Sequence, residues 1–310
     1  MENLNNPLVY CDCCQNLMAE FCLYKEYKHF GCNVCGYEKF LLQGHITSNE
    51  AYEDDPDYKS DLEIADNYKD MLQWAHIQAL IFLKKAYGKS SPHILDVGCF
   101  NGFFVKELRR LNFDAFGIDF NRNAIEFGIS KYGLDKGWIS NRSLEQMLSE
   151  HKKYDVITMF EVIEHLDDFI PLIRDALSLL LPGGILIIST PNSKMCWRPI
   201  LDLPPHHLSR FTPVSLEVLL KNLDLKVLLH REQMSVFDLC RNYLGSKFRI
   251  SKLNSMRGGE FKNKVIVNKM RLLANKLKWF IYFLTKPIDV LLSAFGFTYI
   301  SQVIVVQKRV

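Results

Sequence analysis

From about residue 90 to residue 230, short unbroken apolar runs alternate with longer stretches in which apolar residues return every three to four positions. The runs read as buried strands and the longer stretches as helices packed against them. Strands are predicted at 94–97, 114–118, near Trp138, at 156–160, 185–189 and 225–230, and a last one at 303–307. Runs this apolar suit strands covered on both faces, and their alternation with helices implies crossover connections. The fold class expected is therefore α/β: a Rossmann-like, mostly parallel seven-stranded sheet with flanking helices. Pro182-Gly-Gly184 predicts a turn before the fifth strand. Upstream, residues 68–87 have helical apolar spacing.

Outside this region the pattern changes. Residues 1–44 are rich in cysteine. Residues 45–66 are acidic and predict a linker, and the span Glu50 to Asp70 holds nine acids and two lysines. Residues 67–310 form the main domain, with a basic aromatic insertion at about 231–300. From Arg241 to Phe280 there are eleven Lys and Arg and one acid, Glu260, although the net charge of the whole chain is only +3. Such asymmetry marks a solvated face or a contact surface for anions. The N-terminus lacks a basic-then-apolar signal segment, so a cytoplasmic protein is expected. The charge-free stretch 290–307 is too interrupted by polar residues to read as a membrane span.

Six of the nine cysteines precede residue 36. Cys11-x-x-Cys14 and Cys32-x-x-Cys35, seventeen residues apart, have the spacing of a four-cysteine zinc ribbon. Four thiolates leave no open position on the ion, so a structural Zn²⁺ is expected. Cys13 offers a competing pair with Cys11, and Cys22 looks spare.

The stretch Asp96-Val-Gly98-Cys99-Phe100-Asn-Gly102 joins the first predicted strand of the sheet to a helix. Asp119 ends the next strand, about 20 residues after the first glycine, where such folds place an acid on ribose hydroxyls. Asp96 stands where a phosphate would be repelled, which favours a cofactor with no pyrophosphate at this point.

These residues resemble the class I S-adenosylmethionine-dependent methyltransferases, and the branch that includes ubiquinone-pathway O-methyltransferases. The segments carrying the likeness are Leu95 to Gly102, Gly117-Ile-Asp-Phe120, Tyr154 to Leu166, Leu181 to Asn192 and His206 to Leu216. The resemblance implies that Asp96, Gly98, Cys99, Phe100 and Gly102 surround the methionine part of S-adenosylmethionine. It implies that Asp119 accepts from the ribose, that Phe120 packs on adenine, and that Asn141 to Leu144, with Ser143, lines the adenine. Phe160 and Glu161 would face the methyl-transfer centre. Phe100 departs from the family pattern, which has glycine there.

A hydroxyl, carbon acid or amine acceptor can require deprotonation, and histidine is the natural base near neutral pH. The candidates are His165, His206 and His207. By resemblance, Glu161-x-x-Glu164-His165 could hold Mg²⁺, an oxygen-seeking ion. The acceptor expected is a small molecule or glycan, including a nucleotide- or lipid-linked sugar, methylated at oxygen or carbon. The stretch 264–297 has basic and aromatic residues at helical intervals and reads as a lid over the site or as a peripheral contact with the inner membrane face. Nucleic acid is disfavoured, because few aromatics interleave the charges. The alternatives are an RNA methyltransferase and a non-catalytic binding subunit on the same fold.

Overall fold

The computed structural model describes residues 8–42, 72–195, 198–199, 202–240, 243, 280–295 and 300–309. The acidic linker and residues 244–279 of the insertion lie outside them. Near the N-terminus are β1 (Ala19–Tyr24), β2 (Tyr27–Gly31) and β3 (Glu38–Leu42). The main domain contains α1 (Trp74–Tyr87), β4 (His93–Val97), α2 (Phe103–Arg110), β5 (Asp114–Ile118), α3 (Arg122–Tyr132), β6 (Ile139–Ser140), α4 (Leu144–Leu148) and β7 (Tyr154–Phe160). It continues through α5 (Ile170–Leu179), β8 (Leu180–Pro191), β9 (Ser209–Arg210), α6 (Pro213–Asn222), β10 (Leu225–Gln233) and β11 (Ser301–Lys308).

The large sheet has seven strands in the order β10-β11-β8-β7-β4-β5-β6. All seven predicted strands are present. Only β11 runs antiparallel, between β8 and β10. Strand order reverses between β4 and β7, and in open α/β sheets ligands bind outside the strand ends at that switch. The central strands carry continuous apolar runs because both faces are covered: Ile94, Leu95, Ile157, Met159, Leu186 and Ile188 are all fully buried.

The helices start where short polar side chains cap them. Asn121 accepts from the Ala124 N–H, Ser143 from that of Gln146, and Thr212 from that of Ser215, with Pro213 preset for the first turn. Helix α1 is described from Trp74 onward, and residues 68–71 of the predicted helix lie outside the described residues.

Pro182-Gly-Gly184 does not form a turn. Strand β8 runs through it, and the register with β7 slips between the pairs Tyr154–Leu180 and Val156–Ile185. The extra residues form a bulge, and Gly183 supplies the positive φ, 75°, that it requires. The expected turn is a bulge instead, because both use a glycine at positive φ and the sequence does not tell them apart.

The N-terminal strands do not form a free-standing sheet. Strand β9 pairs with β3, giving a second sheet in the order β1-β2-β3-β9. Tyr37, Phe169 and Phe211 pack their rings together across this junction, and all three are fully buried.

Candidate active site and thiol cluster

The cofactor-like turn lies at the carboxyl end of β4. Gly98 has φ 74°, and a Cβ there would come within 2.6 Å of Val162 Cγ2. Only glycine combines that conformation with that close approach. Phe100 takes up φ 51°, a left-handed conformation in which a side chain is strained. This backbone demand accounts for the glycine usual at that position. The Phe100 N–H donates to Asp119 Oδ2 at 2.7 Å, and the Asn121 N–H donates to Asp119 Oδ1 at 2.7 Å. Two backbone donors thus fix the orientation of the Asp119 carboxylate.

Asp96 is buried, and its Oδ1 accepts from the Thr158 hydroxyl at 2.6 Å. Burial raises its pKa from near 3.8 to about 7, with the Asp119 charge adding to the rise and the Thr158 bond opposing it. Cys99 is buried, and Gly117 must be glycine for its sulfur to fit, since a Cβ there would lie 2.7 Å from Cys99 Sγ. Gly102 opens α2 at φ 70°. Phe120, next to Asp119 in the chain, is 59% exposed.

The fold itself already uses two residues expected near adenine. Asn141 Nδ2 donates to the Asp119 and Phe120 carbonyls at 2.9 and 2.7 Å, and Ser143 caps α4. Phe160 is packed against Phe104 and the ring of His76. His76, from α1, was not singled out in the sequence. It is half-buried, its Nδ1 accepts from the Gln73 N–H at 3.2 Å, and burial lowers its pKa to about 3, so it is neutral.

A second group of side chains follows β7. Glu161 holds φ 55°, a strained value at the end of the strand. Its Oε1 accepts from the hydroxyls of Ser189 at 2.9 Å and Ser301 at 3.3 Å. Burial raises its pKa, while the His207 charge and the serine hydroxyls pull it down. Glu164 is wholly buried, and among the described residues its oxygens are approached by neighbouring Glu161 and its own backbone N–H. Burial, then repulsion from Glu161, push its pKa well above the usual carboxylate range.

His165 and His207 meet edge to face with ring centroids 4.7 Å apart. His165 Nδ1 lies 2.6 Å from the His206 carbonyl, so Nδ1–H donates and Nε2 is left as the acceptor. His207 Nδ1 lies 2.9 Å from Asp202 Oδ1, which fixes the same tautomer. His206 contributes its backbone here. Asp202 is also buried. Burial alone would raise it, but the hydrogen bond and charge of His207 and the Arg198 guanidinium outweigh that and hold its pKa below the ordinary value. Arg210 donates to the Asp202 carbonyl at 3.0 Å and to Glu38 Oε2 at 2.9 Å, tying this loop to β3. Asp202, Arg210 and Glu38 were all missed in the sequence.

The set Glu161, Glu164 and His165 expected for Mg²⁺ does not form. The ligand atoms that converge, all within 4.8 Å of one another, belong to Glu164, His165 and His207. Two imidazoles and a single carboxyl are a poor match for an ion that prefers several carboxylate and water oxygens.

The four thiols do converge. Cys11, Cys14, Cys32 and Cys35 bring their sulfurs within 4.8 Å of one another, with Cys11–Cys35 at 3.5 Å and Cys14–Cys32 at 3.4 Å. Tetrahedral zinc with Zn–S of about 2.3 Å needs edges of roughly 3.8 Å, so the set fits with a small expansion. Cys13 is buried beside the set, and burial raises its pKa, while Cys22 is exposed. This is the arrangement of a zinc ribbon, and the two-residue gap prevails over the Cys11–Cys13 alternative.

Comparison with known proteins fits this geometry. Residues 65–230, which is 166 of 310 positions, match the family described as "Methyltransferase domain". The ubiquinone biosynthesis O-methyltransferase of Caulobacter vibrioides is 31% identical over 124 residues, covering 39% of this chain and 49% of that protein. The Proteus mirabilis protein of the same name is 29% identical over 119 residues, 37% of this chain and 48% of that one. The chain thus spans about half the length of the curated relatives it matches. Among solved structures, the cyclase SpnF superposes with a TM-score of 0.56 at 14% identity, covering 86% of this chain and 98% of that one. Phosphoethanolamine N-methyltransferase 2 of Haemonchus contortus gives 0.52 at 14% identity, covering 88% and 62%. These two likenesses show the fold. With its sheet order, glycine turn and family match in agreement, the chain belongs to the methyltransferase-domain family.

Proposed function

We propose that this protein is an enzyme that transfers a methyl group from S-adenosylmethionine to a hydroxyl of a small molecule or glycan. The observation that carries this reading is the hydrogen bond between His207 and buried Asp202, which engages Nδ1 and leaves Nε2 as the nitrogen to act as a base beside the cofactor-like turn. The link to that turn is short: Gly98 packs on Val162, Val162 adjoins Glu161, and Glu161 and Glu164 approach His207. When bound, S-adenosylmethionine supplies an activated methyl on a sulfonium, so the protein's task is alignment and proton removal. Asp119 suits the ribose, because its carboxylate is held by two backbone N–H groups just past the end of β5, beside the glycine turn. The exposed ring of Phe120 suits adenine, and Asp96 suits a cationic group, which would favour its ionised form. His207 takes the acceptor proton at Nε2, and Asp202 stabilises the resulting imidazolium. A base placed this way contributes roughly 10²–10⁴-fold. Ser189 and Ser301 steady Glu161 at the rim.

The ubiquinone-pathway relatives support an oxygen acceptor. The abundance of hydrogen-bonding groups beside His207 supports a polar one, glycans included. The thiol cluster supports one structural Zn²⁺ per chain, held by Cys11, Cys14, Cys32 and Cys35. The test is incubation of a small-molecule cell extract with methyl-labelled S-adenosylmethionine, read by mass spectrometry. Wild type labels a discrete product, and His207→Ala loses labelling while still binding S-adenosylhomocysteine. Absence of any labelled product, or undiminished labelling by His207→Ala, would refute the proposal.

A further inference from the structure

Residues 280–294 form a helix whose polarity is inverted with respect to the protein it packs on. Its inner side is polar. Asp289 is buried and accepts from the Val236 N–H at 2.8 Å, and Tyr282 donates its hydroxyl to Asp238 and packs edge to face on Phe237. Its outer side is apolar. Phe280 is 60% exposed, Phe283 76%, Leu284 57%, Ile288 49%, Leu291 59% and, just past the helix, Phe295 71%. Positions 280, 284, 288, 291 and 295 fall three or four apart, which makes one continuous stripe. A helix facing water would carry the opposite pattern, and an exposed apolar stripe of this size marks a contact surface.

We infer that this stripe docks in the plane of an anionic lipid surface. No helix among the described residues is long and apolar enough to cross a bilayer. Charge selects the occupant. The one charged side chain exposed on the helix is Lys286, the one acid is turned inward, and the forty residues from Arg241 to Phe280 carry eleven Lys and Arg against Glu260 alone. An apolar stripe within a stretch of sequence this rich in Lys and Arg suits anionic headgroups. A second copy of the chain would bring a second sequence with the same excess of positive charge.

Topology places the surface near the site. The insertion leaves after Gln233 and returns at Ser301, where the Ile300 N–H donates to the Gln233 carbonyl at 3.0 Å and the Ser301 hydroxyl reaches Glu161. The helix therefore rises from the edge of the sheet that carries Glu161 and Gly98. The docking does not depend on the methyl-transfer reading, because none of its residues touches the cofactor-like turn.

The experiment is flotation of the full-length protein with vesicles of phosphatidylcholine alone or mixed with phosphatidylglycerol. The expected result is flotation with the mixed vesicles, weakened by salt. The double variant Phe283→Ser, Leu291→Ser should reduce binding roughly tenfold or more, because it removes two large apolar side chains from the interface. Lys286→Glu, which leaves the apolar stripe intact, should reduce it less. Both variants should keep wild-type melting and S-adenosylhomocysteine binding. Three outcomes would overturn the inference: no flotation of wild type, equal flotation of the double variant, or a wild-type dimer that the double variant dissociates.

Discussion

Asp202 holds His207. Its Oδ1 accepts from His207 Nδ1 at 2.9 Å in a pocket where the carboxylate is only 2% exposed. The pair fixes the imidazole tautomer and orientation from behind, which is what a positioned base requires. Asp202→Asn should lower kcat by roughly 10²–10³-fold with little change in KM, because orientation is lost while the acceptor pocket is kept. A loss confined to KM would mean that the pair only shapes the pocket. Its pKa is lowered in the fold, so it stabilises the fold above the ordinary carboxylate range, and that stability is lost as pH falls through the depressed value. The melting difference between wild type and Asp202→Asn should be full above about pH 4 and vanish in stronger acid.

Asp96 gives the opposite sign. Its pKa is raised to about 7, so the fold is most stable with it protonated. Stability from this group is full below its ordinary value and declines as pH rises from there to about 7, by on the order of 4 kcal/mol at most. Asp96→Asn should therefore melt higher than wild type at pH 8 and equally at pH 3.5, while losing cofactor affinity. A variant that melts lower at pH 8 would contradict the assignment. Binding of S-adenosylmethionine near neutral pH should release a proton, visible by calorimetry as a heat that depends on buffer ionisation.

The thiol cluster should hold one zinc per chain by elemental analysis. Its removal should also reach the active site, because β3 pairs with β9 and Glu38 bonds Arg210, which bonds Asp202. Cys32→Ser should lower both the melting temperature and kcat, with affinity for S-adenosylhomocysteine unchanged. Loss of that affinity would show instead that the whole main domain depends on the ribbon.

Gly98→Ala should abolish cofactor binding and lower stability by roughly 1–3 kcal/mol, through positive-φ strain together with the 2.6 Å contact on Val162. Adding Val162→Ala removes the contact and leaves the backbone strain, so partial recovery of stability is expected. Full recovery would place the whole cost in the side-chain contact.

The sheet was legible because its central strands are buried on both faces and must be apolar without interruption. The cofactor turn was legible because glycines and acids there answer to backbone and ligand geometry within some 20 residues. What lay hidden had no local signal. Asp202 sits in an irregular segment and Arg210 in the two-residue strand β9, both too short of pattern to show a period, and Glu38 meets Arg210 across 172 positions of sequence. The departure from the expected Mg²⁺ set has the same origin: His207 comes to Glu164 and His165 from a loop some forty residues on. Adjacent histidines in the sequence said nothing about which of them an acid would orient.

The most direct measurement is calorimetric titration of the protein with S-adenosylhomocysteine. The account predicts saturable binding of one equivalent in wild type and its loss in Asp119→Ala, which removes the carboxylate proposed to hold the ribose. No heat at high ligand concentration in wild type, or equal affinity in the variant, would contradict it.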